Sequence, residues 1–319
     1  MILEKGMCTF MKNKMMLGNG LLLLTAFIWG TAFVFQRAGM DLIEPITFNA
    51  ARMALSAIAV GMVAFLLRKR ERAASASRTV EEQKEYRKNT VLGGLCCGSI
   101  LGVASIFQQM GIVTTTAGKA GFITAMYMLL VPVIGFVFLK KKNTWLVWLA
   151  VLLGITGMYF LCITEEFSLS KGDTLVSLCA FCFSFHILAC DHFVGRGDPI
   201  RISAIQFTVA TVISTVIAAV MEEPSLEKLI SAAIPILYCG IVSGGVGYTL
   251  QMVAQKFTDP TIASLLMSME SVFAVIAGVI LLGEQMSSRE LMGCILMFTA
   301  IVMVQIPLPE KRKQVTQED

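Results

Sequence analysis

The chain has 319 residues, of which 56% are hydrophobic and 15% are charged, and its mean hydropathy is +0.74. A soluble core of this length cannot hide so much apolar surface, so the composition excludes an ordinary soluble protein and indicates an all-α polytopic membrane protein. The net charge of +4 is explained by membrane orientation, and it gives no reason to expect nucleic acid as a partner.

Ten runs of about twenty apolar residues, the length that crosses a bilayer as a helix, follow one another along the chain. The predicted transmembrane helices cover residues 17–36, 46–67, 90–112, 117–139, 143–163, 172–194, 200–221, 229–252, 261–282 and 288–306. Residues 68–89 are too charged to enter lipid, and they predict a solvated cytoplasmic loop in which helical turns can form. The polar tail, residues 307–319, is predicted to be disordered.

The lysines and arginines fall mainly on one side of this ten-helix arrangement. With the N-terminus inside, 20 of the 26 Lys and Arg residues lie on the cytoplasmic side, five lie on the other side, and Arg52 lies within a helix. One helix more or fewer would destroy this asymmetry. The bias therefore predicts a multi-pass protein of the plasma or inner membrane with both termini in the cytoplasm.

The two halves of the chain match each other weakly. At an offset of 143 residues, the third to fifth predicted helices align with the eighth to tenth without a gap. At an offset of 154, residues 44–50 align with residues 198–204, and the charged stretch found only in the first half explains the change in offset. We therefore predict two five-helix repeats, residues 1–163 and 164–306. Because five is odd, the second repeat enters the membrane upside down, so the repeats are inverted.

Inverted repeats place equivalent residues around one shared site near the membrane midplane. Tyr127 aligns with Glu270 at the offset of 143, and Trp29 aligns with Phe183 at the offset of 154. All four residues lie near mid-depth by residue count. The alignment therefore predicts an aromatic cage that holds one carboxylate.

Glu270 is the first candidate for a functional group. It lies about nine residues into the apolar stretch 261–285, or roughly 14 Å at the helical rise. A charge at that depth costs at least a few kcal/mol, so it requires a polar cavity, a partner or a proton. Two interpretations stay open. Glu270 either carries the coupling proton or pairs with a substrate amine, or it is a structural acid bonded to a neighbouring helix.

Five further polar or aromatic residues are candidates, each with a structural alternative. Arg52 either binds a substrate carboxylate or snorkels to the surface. His186 either joins a proton relay or has only a structural role. Phe33 either lines the pore or packs in the core. Gln108 and Gln251, near opposite mouths of the third and eighth predicted helices, either select substrates or bond across helices.

The nine cysteines lie mostly inside apolar segments, where they act as small hydrophobic residues, so a secreted disulfide framework is not expected. Cys179 and Cys182 have the spacing of a redox or metal motif. Because no second cysteine pair or histidine pair accompanies them in the sequence, packing is the simpler explanation. The sequence therefore predicts no metal site and no cofactor.

Four stretches together resemble the EamA-type members of the drug/metabolite transporter superfamily. They are residues 21–39, 44–58, 117–142 and 269–302, and the last is the most specific because an apolar helix closes on Leu-Gly-Glu before a short turn and a glycine-containing helix. The chain departs from the family's pattern at Ser271, where the family often has proline. The resemblance implies ten helices in two five-helix repeats, and a secondary transporter, commonly an exporter, of amino acids or other small metabolites.

These features predict a secondary active transporter that exports a small organic metabolite across the cell membrane by alternating access, with protons as a possible coupling ion. No P-loop pattern GxxxxGK[ST] occurs in the sequence, so a built-in nucleotide motor is not expected. A multidrug or amine efflux carrier of the same fold is the alternative. An intramembrane enzyme or a non-transporting scaffold is more distant, and no enzyme activity is expected. Monomer and homodimer both stay open.

Overall fold

A computed structural model describes residues 2–75, 78–140, 143–162, 170–283, 285 and 287–305 of the chain. Within these residues the secondary structure consists of helices joined by turns. In chain order the helices are α1 Ile2–Gly39, α2 Pro45–Ser75, α3 Val80–Ile112, α4 Ala117–Thr124, α5 Tyr127–Leu139, α6 Trp145–Cys162, α7 Lys171–Val194, α8 Pro199–Met221, α9 Leu226–Ser231, α10 Ala233–Leu237, α11 Tyr248–Ala254, α12 Pro260–Met267, α13 Met269–Leu282 and α14 Ser288–Gln305. A π-helical segment, Tyr238–Gly247, lies between α10 and α11.

Eight helical stretches of the described chain are long and apolar enough to cross a membrane. Two shorter apolar helices, Trp145–Gly157 and Leu291–Ala300, lie within the fifth and tenth predicted spans. Since a bilayer core requires about 20 apolar residues in helical form, the protein is a polytopic, all-helical membrane protein. The predicted fold class is confirmed at this level.

The charged connection after the second span is more helical than the sequence predicts. α2 continues to Ser75, and α3 begins at Val80, well before the predicted start at residue 90. The reason is local, because Thr79 and Glu82 form a capping box, each side chain bonding the other residue's backbone N–H. The stretch 68–89, predicted as a solvated connection with helical turns, is therefore helical over 68–75 and 80–89. The tail predicted to be disordered lies outside the described residues.

Two of the spans are interrupted halfway. The fourth divides into α4 and α5 at Ala125 and Met126, and the ninth divides into α12 and α13 at Ser268. At the second break the hydroxyls of Ser268 and Ser271 donate to carbonyl oxygens three residues earlier, at 2.7 Å each. These bonds satisfy polar groups that have no water available in a membrane. Ala125 and Ser268 are 143 residues apart, so the breaks occur at the offset of the predicted repeat.

The eighth predicted helix, 229–252, is not one regular helix. It divides into α9, α10, the π-helical segment and α11. The π-helical segment has the sequence YCGIVSGGVG, and its glycines allow α2 to approach closely: the Ser56 hydroxyl donates to the Gly240 carbonyl oxygen at 2.7 Å. A Cβ atom at Gly244 would come within 2.9 Å of the Ser56 Cβ. The glycines thus allow close packing against α2, and the segment that contains them is π-helical instead of α-helical.

α1 packs directly against α13, and this contact positions the buried carboxylate of Glu270. A Cβ atom at Gly30 would lie 2.6 Å from the Glu270 carbonyl oxygen, so only glycine fits between the two helices. α1 therefore lies with its backbone against the first turn of α13. Trp29, next to Gly30, and Phe33, about one helical turn further along α1, both line the same cavity as Glu270.

Candidate functional site

One cavity in the centre of the helical bundle is lined by residues from both halves of the chain. Its volume is about 30 Å³, which is room for about two water molecules. The lining residues are Trp29, Phe33, Gln36, Arg52, Gln108, Thr124, Tyr127, Phe183, His186, Ile187, Ser243, Tyr248, Gln251 and Glu270.

All nine residues that the sequence singles out lie on this cavity. Gln108 and Gln251, expected near opposite mouths of two helices, line the same space as the others. Their placement is therefore more central than the sequence suggests. The breaks in the fourth and ninth spans account for part of the arrangement, since Tyr127 begins α5 and Glu270 lies in the first turn of α13.

Five lining residues are missed by the sequence analysis: Gln36, Thr124, Ile187, Ser243 and Tyr248. Helical periodicity predicts three of them once their neighbours are known. Gln36 follows Phe33 at i+3, Ile187 follows Phe183 at i+4, and Tyr248 precedes Gln251 by three residues on α11, so each pair lies on one helix face. Ser243 carries no such signal, because it lies in the π-helical segment, where the period differs from 3.6 residues.

Arg52 is a buried cation that is held by a polar network. Its side chain is 6% exposed, and its Nε atom donates to the Oδ1 atom of Asn49 at 2.9 Å. The Asn49 Nδ2 atom in turn donates to the hydroxyls of Ser105 at 3.1 Å and Ser214 at 2.9 Å. None of the ion pairs among the described residues includes Arg52. The guanidinium is thus fixed in orientation, and no carboxylate of the described residues forms an ion pair with it.

Glu270 is a buried carboxylate on the same cavity, 3% exposed. Its Oε1 atom and the Tyr127 hydroxyl both lack a partner with hydrogen-bond geometry. No ion pair joins Glu270 to Arg52, although both line the cavity. Arg52 and Glu270 are thus two buried side chains of opposite charge type that line one cavity without an ion pair between them.

Three amide side chains add polar groups to the lining. The Oε1 atoms of Gln36 and Gln251 are buried and have no hydrogen-bond partner within the protein. The Gln108 Nε2 atom donates to the Thr124 hydroxyl at 3.3 Å. Unpaired buried amide atoms cost free energy unless water or a ligand bonds to them, so these atoms are available to such a partner.

Aromatic rings form the remaining wall. The Trp29 and Tyr248 ring centroids are 4.6 Å apart, and the Trp29 Nε1 atom donates to the Ser243 carbonyl oxygen at 3.2 Å. Tyr248 also meets the His186 ring, edge to face, with 6.0 Å between centroids. His186 is buried, and its Nε2 atom lies 3.0 Å from the Gln206 Oε1 atom. The rings provide a rigid apolar surface beside the charged groups.

Ion pairs between the halves lie away from the cavity. Glu44, just before α2, pairs with Lys228 of α9, and Lys119 of α4 pairs with Asp173 of α7 at 2.7 Å. The hydrogen bond from Lys228 holds the pKa of the Glu44 carboxyl below its usual range, and the same bond raises the pKa of Lys228. The distribution of lysine and arginine along the sequence predicts that both lysines lie on the side of the membrane opposite the cytoplasm.

A multi-span helical bundle that encloses a cavity with buried charges and interrupted helices has the architecture of a membrane transporter. The comparisons with known proteins give the particular family. The profile of the EamA-like transporter family matches residues 16–163 and 170–306, and the chain belongs to that family. It is accordingly a membrane transporter with a small-molecule substrate, and not an enzyme.

Similar proteins agree with this assignment. The chain is 26% identical over 289 residues to an uncharacterized transporter of Archaeoglobus fulgidus, covering 89% of this chain and 84% of the relative. It is 23% identical over 299 residues to the uncharacterized transporter YoaV of Bacillus subtilis, covering 91% and 96%. A solved crystal structure with 15% identity has a TM-score of 0.68 and covers 90% of this chain and 96% of the other, which establishes similarity of fold alone.

Proposed function

We propose that the protein is a secondary active transporter that exports a small zwitterionic metabolite, an amino acid or a related compound. The observation that carries this proposal is the pair of buried, unpaired opposite charges on one cavity, Arg52 and Glu270. The guanidinium binds the carboxylate of the solute, since its planar donors match a carboxylate. Glu270 receives the amine, together with the amide oxygens of Gln36 and Gln251.

Alternating access follows from the proposed architecture of ten spans in two inverted five-helix repeats. Three observations support it: the ten apolar runs, the two successive family matches at 16–163 and 170–306, and the breaks at Ala125 and Ser268. In an inverted repeat the halves exchange conformations, so the cavity opens to one side of the membrane and then to the other. The excess of lysine and arginine supports placing both termini in the cytoplasm.

Glu270 is also the proposed carrier of the coupling proton. A carboxylate buried this deeply is more stable when it is either protonated or paired with a solute amine. If only one of the two occupies Glu270 at a time, the solute and the proton exchange at one site. This arrangement couples export to a proton gradient without ATP.

A ligand screen on the purified protein in detergent tests the substrate class. A ligand at one hundred times its dissociation constant adds about 2.7 kcal/mol of apparent stability, which a thermal-shift assay detects. We expect amino acids to stabilise the protein, and matched compounds that lack the amine or the carboxylate to stabilise it less. Compounds that pass the screen are then tested for counterflow in proteoliposomes.

The alternative function is a carrier of amines or cationic drugs. It is favoured by the carboxylate of Glu270 and the aromatic wall of Trp29 and Tyr248, a combination that attracts organic cations. The same screen separates the two proposals. Stabilisation by amines without a carboxylate, and none by amino acids, would replace the amino acid proposal with this one.

A further inference from the structure

Three side chains of the types that ligate metals, one of them His186, lie close together inside the bundle. Cys97 of α3, His186 and Cys190 of α7 are all buried, with their ligand atoms within 4.8 Å of one another. The Cys97 and Cys190 sulfur atoms are 3.8 Å apart. The Cys190 Sγ atom lies 3.7 Å from His186 Nδ1 and 3.6 Å from His186 Nε2. Both cysteines are free thiols.

These separations match the edges of a tetrahedral zinc site. With Zn–S bonds of about 2.3 Å and Zn–N bonds of about 2.0–2.1 Å, tetrahedral angles place two sulfurs about 3.8 Å apart and a sulfur and a nitrogen about 3.6 Å apart. The two edges measured to Cys190 agree with these values. The edge from Cys97 to His186 needs a small adjustment, since the three ligand atoms lie within 4.8 Å of one another.

The side chain of Gln206 supplies the support that a ligating histidine requires. Its Oε1 atom lies 3.0 Å from His186 Nε2, so Nε2–H donates to Gln206 and Nδ1 keeps its lone pair for a metal. Gln206 is itself fully buried on α8. The histidine is therefore oriented by a neighbour that belongs to neither of the two helices carrying the ligands.

We propose that Cys97, His186 and Cys190 form a binding site for a thiophilic divalent cation, with Zn²⁺ as the natural probe. On binding, both thiols lose their protons and the imidazole stays neutral, so Zn²⁺ and two thiolates form a complex of zero net charge and two protons leave the site. Neutrality matters here, because a net charge is costly inside a membrane. A fourth position is left for water or another ligand.

The site lies beside the transport cavity but does not depend on the proposed substrate. His186 belongs to both, because it lines the cavity and completes the cluster. A bound cation would link α3, through Cys97, to α7, through His186 and Cys190. Metal binding to these three residues can be measured without measuring transport, so the two proposals are tested independently.

Cobalt(II) binding to the full-length protein in detergent, reduced and freed of metal with a chelator, tests the site. We expect one Co²⁺ per chain with thiolate-to-cobalt charge-transfer absorption, which Zn²⁺ abolishes by displacement. Cys97→Ser and Cys190→Ser should remove the charge-transfer band or weaken Co²⁺ binding at least about tenfold. Gln206→Ala should weaken binding by about 10–100-fold, as loss of a hydrogen-bond partner to a ligating histidine does.

Cys179→Ser is the matched control, since Cys179 is a buried cysteine of the same helix and lies outside the cluster. It should keep the absorption band and the affinity of the wild type. Elution volume and metal-free melting temperature show whether each variant is folded. A folded wild type without the charge-transfer band, or with a band that survives both Cys97→Ser and Cys190→Ser, would overturn the proposal.

Discussion

Arg52 and Gln206 occupy equivalent positions in the two predicted repeats, at the offset of 154 residues. The first is a cation held by Asn49, and the second is an amide that bonds His186. At the offset of 143, Tyr127 corresponds to Glu270. The cation thus comes from the first half and the carboxylate from the second. The predicted repeat thus has different chemistry at equivalent positions of its two halves, and the proposed zwitterionic solute would contact one charge from each half.

The largest effect is expected from Glu270→Gln compared with Tyr127→Phe. Glu270→Gln keeps the size and loses the titratable group, so we expect pH-driven transport in proteoliposomes to fall at least tenfold. Tyr127→Phe removes a hydroxyl that lies beside Glu270 but keeps the titratable carboxyl, so its transport should fall less than that of Glu270→Gln. Both proteins should elute and melt like the wild type. Normal pH-driven transport by Glu270→Gln would exclude Glu270 as the proton carrier.

The next effect concerns Arg52. Arg52→Gln removes the cation from the first half, and a hydrogen bond to a charged group contributes about 1.5–3 kcal/mol. We therefore expect the dissociation constant of an amino acid to rise by about tenfold or more, measured by titration calorimetry. Binding of the matched amine without a carboxylate should not change. An equal loss of affinity for both compounds would show a structural role for Arg52 instead.

A smaller effect, on the free energy of unfolding, is expected to differ between substitutions of Asn49 and of Ser203, the residue at the equivalent position. Asn49→Ala removes the bonds to Arg52, Ser105 and Ser214, and should lower the free energy of unfolding by about 1–3 kcal/mol. Ser203→Ala removes a buried hydroxyl that has no partner, so it should change stability by less than about 0.5 kcal/mol. Denaturant titrations of the two variants, compared with the wild type, measure the difference. Equal destabilisation would mean that the network around Arg52 adds nothing.

The smallest effect concerns Glu44 and its equivalent Asp198. Glu44 pairs with Lys228 of the other half, whereas Asp198 caps its own helix by accepting from the Arg201 backbone N–H at 2.9 Å. Because the pKa of Glu44 is lowered in the folded protein, the pairing stabilises above the carboxyl's ordinary pKa. Its contribution disappears as pH falls through the lowered value.

Melting temperatures measured across acidic pH provide the test of this pairing. The difference between wild type and Lys228→Met should be small, present at neutral pH, and absent at the acidic end. Exposed pairs such as this one contribute little. A difference that grows on acidification would contradict the sign of the Glu44 shift.

Mid-depth position and the repeat alignment were sufficient to predict some, but not all, of the side chains that line the cavity. Glu270, Tyr127, Trp29 and Phe183 follow from depth and alignment, because a polar group in an apolar run must face an interior. The π-helical segment Tyr238–Gly247 is different. Its glycine-rich sequence fits a regular helix equally well, and its contacts with α1 and α2 cannot be inferred from the sequence, so Ser243 was missed.

The cysteine cluster shows the same limit more strongly. His186 and Cys190 share a helix face at i and i+4, which the sequence does reveal. Cys97 lies 93 residues away from Cys190, and nothing in the sequence says that α3 brings it there. The spacing that does resemble a motif, Cys179 to Cys182, is not part of the cluster. Sequence spacing identifies ligands only where one element supplies them.

A volume of about 30 Å³ is far smaller than any amino acid, so the bundle must expand before a solute can enter. Because only the expanded form binds solute, the apparent dissociation constant equals the intrinsic one divided by the fraction of protein in that form. Candidate substrates should therefore be screened at millimolar concentrations. A screen that detects only tight binding would miss the substrate.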